Sequence, residues 1–175
     1  MNIKFHRIGS ILLIGFSLMF LNSCKSIKYS ISGASIHPDC KTFSVDYFDN
    51  VADVVNPVLS NYFTEALKEK IRQQTNLEEV VNRNSDINFE GKIIGYDVSS
   101  IDITRDEVST YNRLTITVKA KYTNIKDDSF EFDTNFSFHA DFPSTQSLPE
   151  VEEPLIEEIV PKIIDDIYNK AFVNW

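Results

Sequence analysis

Thr110 to Asn124 alternates well between apolar and polar residues. Leu114, Ile116, Val118, Ala120 and Tyr122 fall on one side, with Thr115, Thr117, Lys119 and Lys121 on the other. A period of two marks a strand with one buried and one wet face. Lys126-Asp127-Asp128 then makes a turn. The returning stretch sets Phe130, Phe132, Phe136 and Phe138 on one face and Glu131, Asp133, Asn135 and His139 opposite. Two such strands form an antiparallel hairpin whose apolar face must be covered, so the chain is committed to a sheet packed on one side. A turn centred on Lys126 puts Lys121 opposite Glu131 and Lys119 opposite Asp133, as exposed cross-strand pairs.

Two helices can supply the cover. Asn56-Pro57 reads as an N-cap followed by proline at the first helical position, with the helix running to about Gln74. Leu59, Tyr62, Phe63, Ala66, Leu67 and Ile71 form its apolar stripe at spacings of three and four, and Glu65, Lys68, Glu69 and Arg72 its wet side. Ser147 and Glu150 have capping-box spacing for a last helix with a broad apolar face from Leu155 to Tyr168. Pro154 and Pro161 lie inside it, and a kink or break is expected near Val160–Pro161 because each proline removes a helical hydrogen bond.

Further strands complete the sheet. Thr42 to Phe48 alternates with Phe43, Val45 and Tyr47 inward and Ser44 and Asp46 outward, and Leu77 to Val81 is a short second strand. Ile87 to Val98 is longer. Its inward set changes phase from Ile87, Phe89, Gly91 and Ile93 to Ile94, Tyr96 and Val98, which indicates a β-bulge at the Ile93–Ile94 step. Ser99 to Ser109 is polar and charged and reads as a loop. The order is β-α-β-β-β-β-α: an α+β fold, a small mixed or antiparallel sheet with two helices packed on one face.

The N-terminus sets the compartment. Lys4, His6 and Arg7 precede an unbroken apolar and small-residue stretch from Ile11 to Leu21. At about 1.5 Å per residue it spans roughly 16 Å, short of the roughly 30 Å core of a bilayer. It has the length of a signal h-region and ends in Leu21-Asn22-Ser23-Cys24, which resembles the lipobox of bacterial lipoproteins. The domain reading is therefore 1–23 signal peptide, 24–40 lipidated tether carrying acyl chains on Cys24, and 41–175 folded domain. Lys25 rather than aspartate follows the cysteine, as expected for the periplasmic side of the outer membrane. Lipid on Cys24 leaves Cys40 without a disulfide partner, to pack as a small apolar residue at a strand start.

The chain has 17 basic and 26 acidic residues, and loss of the signal would remove Lys4 and Arg7 but no acid. Such a surface repels phosphate backbones, so nucleic acid is not an expected partner. There is no phosphate-binding glycine loop, no Gly-x-Ser-x-Gly elbow and no His-Glu-x-x-His. Of the three histidines, His6 leaves with the signal, His37 lies in the lead-in and His139 on an outward strand face. No catalytic residue, metal site or cofactor is expected. The acidic pairs of the last helix are solvation, because adjacent helical residues do not converge.

A set of short segments carries a family resemblance. They are Ser32-Gly33-Ala34-Ser35-Ile36, Asn56-Pro57, Phe63-Thr64-Glu65-Ala66-Leu67 and Gln74-Thr75-Asn76-Leu77, then Asn112-Arg113-Leu114-Thr115-Ile116-Thr117-Val118 and Ala171-Phe172-Val173-Asn174-Trp175. In order and spacing they resemble the LptE family of lipopolysaccharide-assembly lipoproteins, in a divergent branch. Pro154 and Pro161 depart from that pattern. The resemblance implies an outer-membrane lipoprotein that partners and plugs the LptD β-barrel, helps it assemble and assists delivery of lipopolysaccharide to the outer leaflet. Some members bind lipopolysaccharide through basic residues, for which Arg105 and Arg113 are the candidates here. The competing readings are a lipid-anchored periplasmic binding lipoprotein of similar fold with an unrelated envelope partner, and a lipid-anchored enzyme, which the missing constellations disfavour.

Overall fold

A computed structural model describes the backbone of residues 36–81, 84–105 and 107–173, with the side chains of 102–109 left aside. The signal, Cys24 and most of the tether lie outside the described residues. The strands are β1 (Thr42–Val45), β2 (Asp49–Asn50), β3 (Glu78–Glu79), β4 (Ile87–Arg105), β5 (Glu107–Asn124) and β6 (Phe132–Pro143). The helices are α1 (Leu59–Gln74) and α2 (Leu148–Phe172).

The sheet has the order β3-β1-β4-β5-β6, with β2 pairing β4 in line with β1. β1 and β2 run parallel to β4, and β4, β5 and β6 are mutually antiparallel. Both helices bury their stripes in one core with the inward residues of the sheet. The fold is therefore α+β, a mixed six-stranded sheet with two helices on one face, as the hydrophobic periods require. Phe89, Tyr122, Tyr168 and Phe172 form a run of ring contacts, with centroids 5.0–5.9 Å apart between α2 and the sheet. Each such side chain fully buried contributes about 1.5–3 kcal/mol.

Edge strand β1–β2 departs from simple alternation. Val45 lies opposite Phe89 and Asp49 opposite Lys92, four steps on one strand against three on its neighbour. The extra residue reverses the phase. Tyr47, expected inward, is 54% exposed, and Phe48 enters the core instead. Its ring meets Phe63 of α1 at 5.1 Å, and its N–H donates to Thr64 Oγ1 at 3.1 Å. The β-bulge in β4 falls where the phase change placed it, with a register shift between Ile93 and Gly95. Ile94 is the unpaired residue and stays partly exposed, and Val98 lies beyond the core, so neither is buried as expected.

Ser99 to Ser109 is not a loop. β4 and β5 stay paired out to Arg105 and Glu107, whereas β5–β6 pairing stops at Tyr111 and Pro143. Beyond that point β4 and β5 continue as a ribbon with no third strand among the described residues. Its polarity goes with the lack, among the described residues, of a covering helix rather than of a ladder.

Helix α1 starts two residues later than expected, but Asn56 still caps it, its Oδ1 accepting from Val58 N–H at 2.9 Å and Leu59 N–H at 3.1 Å. Tyr62 lies at the exposed margin of the stripe. Helix α2 opens with the expected box, Glu150 accepting from the N–H and hydroxyl of Ser147, each at 2.8 Å. It then continues for 25 residues through Pro154 and Pro161, so the expected break does not occur. Both prolines sit on the exposed side, where solvent can meet the carbonyls that their missing N–H groups leave free.

Candidate interaction face

The side of the sheet away from the helices is polar and tied together across strands. Arg113 on β5 grips Asp141 on β6 through Nε at 2.6 Å and Nη2 at 2.9 Å. This bond raises the guanidinium's pKa and lowers that of the Asp141 carboxyl. Thr117 and Ser137 share a hydroxyl hydrogen bond of 3.1 Å. Lys119 reaches Asp133 at 3.2 Å, and Lys121 reaches Glu90 on β4 at 2.8 Å, a bond that raises the lysine's pKa.

These pairs correct the expected register. Lys121 lies opposite Asp133, not Glu131, and Lys119 opposite Asn135, not Asp133. A 3₁₀ turn at Asp128–Phe130, capped by Asp127 Oδ1 on Ser129 N–H, takes up residues expected to pair. The ladder therefore slips by two, which preserves every face. Phe130, placed in the inward row by alternation, belongs to this turn and is exposed. Lys119 keeps Asp133 as a diagonal neighbour.

Next to β2 the face sinks into a cleft of about 600 Å³. Lys92, Lys119 and Lys121 line it together with Asp46, Asp49, Glu90 and Asp133. Lys92 and Lys119 stand directly opposite each other, and Asp49 lies opposite Lys92 on its other flank. Like charges so placed repel, and the flanking carboxylates offset this. The cleft suits a polar surface carrying both charges. Sequence reasoning passed over this lysine group because its members come from separate strands. The signal for it was the pairing of β4 with β5.

A smaller cleft of about 470 Å³ opens between the N-terminal turns of α1 and α2, lined by Asn56, Val58, Tyr62, Ile156 and the carboxylates of Glu152, Glu153 and Glu157. At its edge Tyr96 donates its hydroxyl to Glu152, and burial with this carboxylate raises the phenol's pKa.

Of the two arginines named as candidates, Arg113 lies on the polar face committed to Asp141, while the side chain of Arg105 is outside the described residues. His37 and His139 are not brought together. The His37 carbonyl accepts from Cys40 N–H at 2.9 Å, and Cys40 in turn reaches Asn124 at the turn end of β5, whereas His139 pairs with Thr115, nine residues along β5 from Asn124, or about 30 Å at strand rise. Among the described residues no group of three or more His, Cys, Asp or Glu side chains converges as for a metal. Cys40 is buried, and its thiol donates to Asn124 Oδ1 at 3.4 Å. It packs at the strand start as a small buried residue, and burial pushes its pKa up.

The fold and this face describe a small α+β module with a broad polar sheet surface. Residues 40–171 match the family model described as LptE, lipopolysaccharide-assembly. The match takes in well over half of the chain, and the protein belongs to the LptE family. No curated protein matches it. Among solved structures, it is similar to hypothetical protein CT253 from Chlamydia trachomatis, at 7% identity and a TM-score of 0.48 over 77% of this chain and 99% of that one. It is also similar to uncharacterized lipoprotein B from Nitrosomonas europaea, at 13% identity and a TM-score of 0.45 over 74% and 80%. A minor lipoprotein from Acinetobacter baumannii aligns at 10% identity and a TM-score of 0.44 over 74% and 91%.

Proposed function

We propose that the chain is cleaved before Cys24, anchored by lipid on that cysteine to the periplasmic side of the outer membrane, and acts there by binding rather than by catalysis. Its partner is an LptD-like β-barrel, which it plugs and helps to assemble, so that lipopolysaccharide reaches the outer leaflet. The observation that carries this reading is the polar, ion-paired sheet face in a chain of the lipopolysaccharide-assembly family. The interior wall of a large barrel is itself polar and hydrated, and a surface of paired charges and hydroxyls matches it. A carrier of lipid tails needs an apolar cleft, and the cleft beside β2 is lined by lysines and carboxylates. Any lipopolysaccharide phosphate meeting this face would compete with Asp133, Glu90 and Asp141 for Lys119, Lys121 and Arg113.

The test is a mild-detergent pull-down from native membranes with the partners identified by mass, joined to depletion of the protein. Enrichment of a large barrel, with less folded barrel and less surface lipopolysaccharide on depletion, is the expected result. If no barrel is enriched and surface lipopolysaccharide is unchanged, the lipoprotein serves an unrelated envelope partner.

A further inference from the structure

Among the described residues β6 has one strand neighbour, β5, because the sheet order ends on it. It is 12 residues long and pairs from Tyr111–Pro143 to Tyr122–Phe132 with no register shift. Ser144 N–H donates to the Thr110 carbonyl at 3.1 Å, which fixes the phase of the ladder. Antiparallel pairs alternate between bonded and non-bonded, so Thr134, Phe136, Phe138 and Ala140 aim their backbone groups at β5. The N–H and C=O groups of Asp133, Asn135, Ser137, His139 and Asp141 therefore point away from the sheet. The phase agrees at the other end of β5, where Asn124 N–H turns toward β6 and meets Glu131 at 3.0 Å, and Ile125 N–H turns to Asp86 on the opposite side. Among the described residues no strand takes up the outward groups of β6.

Exposed edges of this kind are normally blunted by lysine, proline or a bulge. From Thr134 to Ala140 β6 has none of these, and its only proline is the last residue, Pro143. The inward side chains Phe132, Phe136 and Phe138 are only partly buried against the core. The opposite edge, β3, is two residues long and offers little.

We propose that the β6 edge is a docking site for an extended segment of a partner protein, which adds to the sheet as a further strand. Backbone hydrogen bonds to Asn135, Ser137 and His139 would hold its centre. The flanks of Phe136 and Phe138 call for aliphatic residues at alternate positions on the helix side of the added strand. On the other side stand Asp133 and Asp141, which keep 49% and 36% of their side chains exposed although each already holds a cation from β5. They favour lysine or arginine in the added strand. A second copy of this chain is a poor occupant. Antiparallel self-pairing that uses every outward residue sets Asp133 against Asp141 at both ends, between chains whose formal charge is −9. The inference rests on topology and stands whether or not the partner is a barrel.

The test uses the full lipidated chain in detergent micelles and a synthetic peptide of about nine residues alternating valine and lysine, a typical strand length. Amide hydrogen exchange is read residue by residue. In the protein alone, Asn135, Ser137 and His139 should exchange quickly and Phe136 and Phe138 slowly. Saturating peptide should slow the first group about tenfold or more, a change worth about 1.4 kcal/mol, and leave the second unchanged. A valine–glutamate peptide should protect much less. Ser137→Pro removes an outward donor without cutting the β5 ladder and gives up only the exposed hydroxyl bond to Thr117, so it should lower the thermal midpoint by no more than a few degrees and lose the protection. The proposal is overturned if the outward amides are already slow in the protein alone, or if the valine–lysine peptide leaves them fast. Protection that rises with protein concentration without peptide also overturns it, since the occupant is then a second copy. The exchange pattern needs no variant, so it decides the matter even if Ser137→Pro fails to fold.

Discussion

The ring of Phe48 lies against Gly91, filling the space that a side chain at position 91 would take. A Cβ there would also run into the backbone carbonyl of Lys119. The contact joins two features of the sheet. The extra residue between Val45 and Asp49 turns Phe48 inward, and the bare backbone of β4 at Gly91 gives it room. Tyr47 is thereby sent outward to the rim of the charged cleft.

Gly91→Ala should destabilise the fold by about 1–3 kcal/mol, since one obstacle is backbone and cannot rotate aside. Urea denaturation checks this, with a lower midpoint at unchanged slope. A midpoint equal to that of the native chain would show that Phe48 and Lys119 can shift at no cost.

The sequence exposed the parts of the fold in which one face is buried and the other wet. Leu114, Ile116, Val118, Ala120 and Tyr122 alternate because every second residue meets helix α2 or the core, and the same contrast reveals the phase change at Ile93–Ile94. Ser99 to Ser109 gave no such contrast, because the ribbon extends past the covering layer. The hairpin register was missed by two because a 3₁₀ turn held by Asp127 does not announce its length. On the polar face, Thr115, Thr117, Lys119, Asn135 and Ser137 were legible as outward from their parity alone. The grouping of Lys92 with Lys119 and Lys121 depends on which strands are neighbours, and parity along one strand does not carry that.

Asn56 is the effective cap of α1 although two residues separate it from the first helical residue. Asn56→Ala leaves the N–H groups of Val58 and Leu59 without their acceptor and should cost roughly 0.5–2 kcal/mol. Asn56→Asp should recover only part of that loss: a carboxylate accepts the same bonds, but at this buried position it stands in the cleft with Glu152, Glu153 and Glu157. Thermal melts of both variants distinguish this from a general loss of packing at the site.

Asp86 ties the start of β1 to the start of β4. Its carboxylate accepts from Lys41 N–H at 2.8 Å, Thr42 N–H at 3.0 Å and Thr42 Oγ1 at 3.1 Å, with Lys126 at 3.5 Å. The two backbone bonds dominate in pulling its pKa down to about 2. A carboxyl depressed on folding adds stability that is complete above the ordinary carboxylate range and is lost as pH falls through the folded value. The native chain should therefore lose stability from about pH 5 down to about pH 2, and Asp86→Asn should flatten part of that slope. Parallel slopes for the two proteins would remove Asp86 from the acid response.

Anchoring is tested at Cys24. Acyl chains contribute about 0.8 kcal/mol per buried methylene, so more than one chain holds a protein stably. Cys24→Ala should leave an uncleaved or soluble form in place of a processed, membrane-bound one, as read by fractionation and the mass of the N-terminal peptide. A variant that matures and stays bound as before would remove the lipid anchor from the account. With the native cysteine, protease treatment of intact cells should leave the protein untouched, as the periplasmic side requires.

The polar face itself is tested by reversing its charges. Lys119→Glu breaks a pair exposed on both sides, worth about 0–1 kcal/mol, and Arg113→Glu breaks a two-pronged, half-buried pair worth somewhat more. Stability should fall little, even with two carboxylates then left opposed on each site. Binding is a different matter if the face lies against a polar wall, because reversing two charges makes complementary partners repel. The double variant should therefore fold with a thermal midpoint within a few degrees of the native one, yet recover far less barrel in the mild-detergent pull-down. Reversing Asp133 and Asp141 to lysine in the same background restores both intramolecular pairs with exchanged polarity. It should recover part of any lost stability, since Lys121 lies opposite position 133, but not the barrel. Recovery of the barrel along with stability would mean that the pairs serve only to hold β5 against β6, and the contact surface would have to be sought elsewhere on the domain.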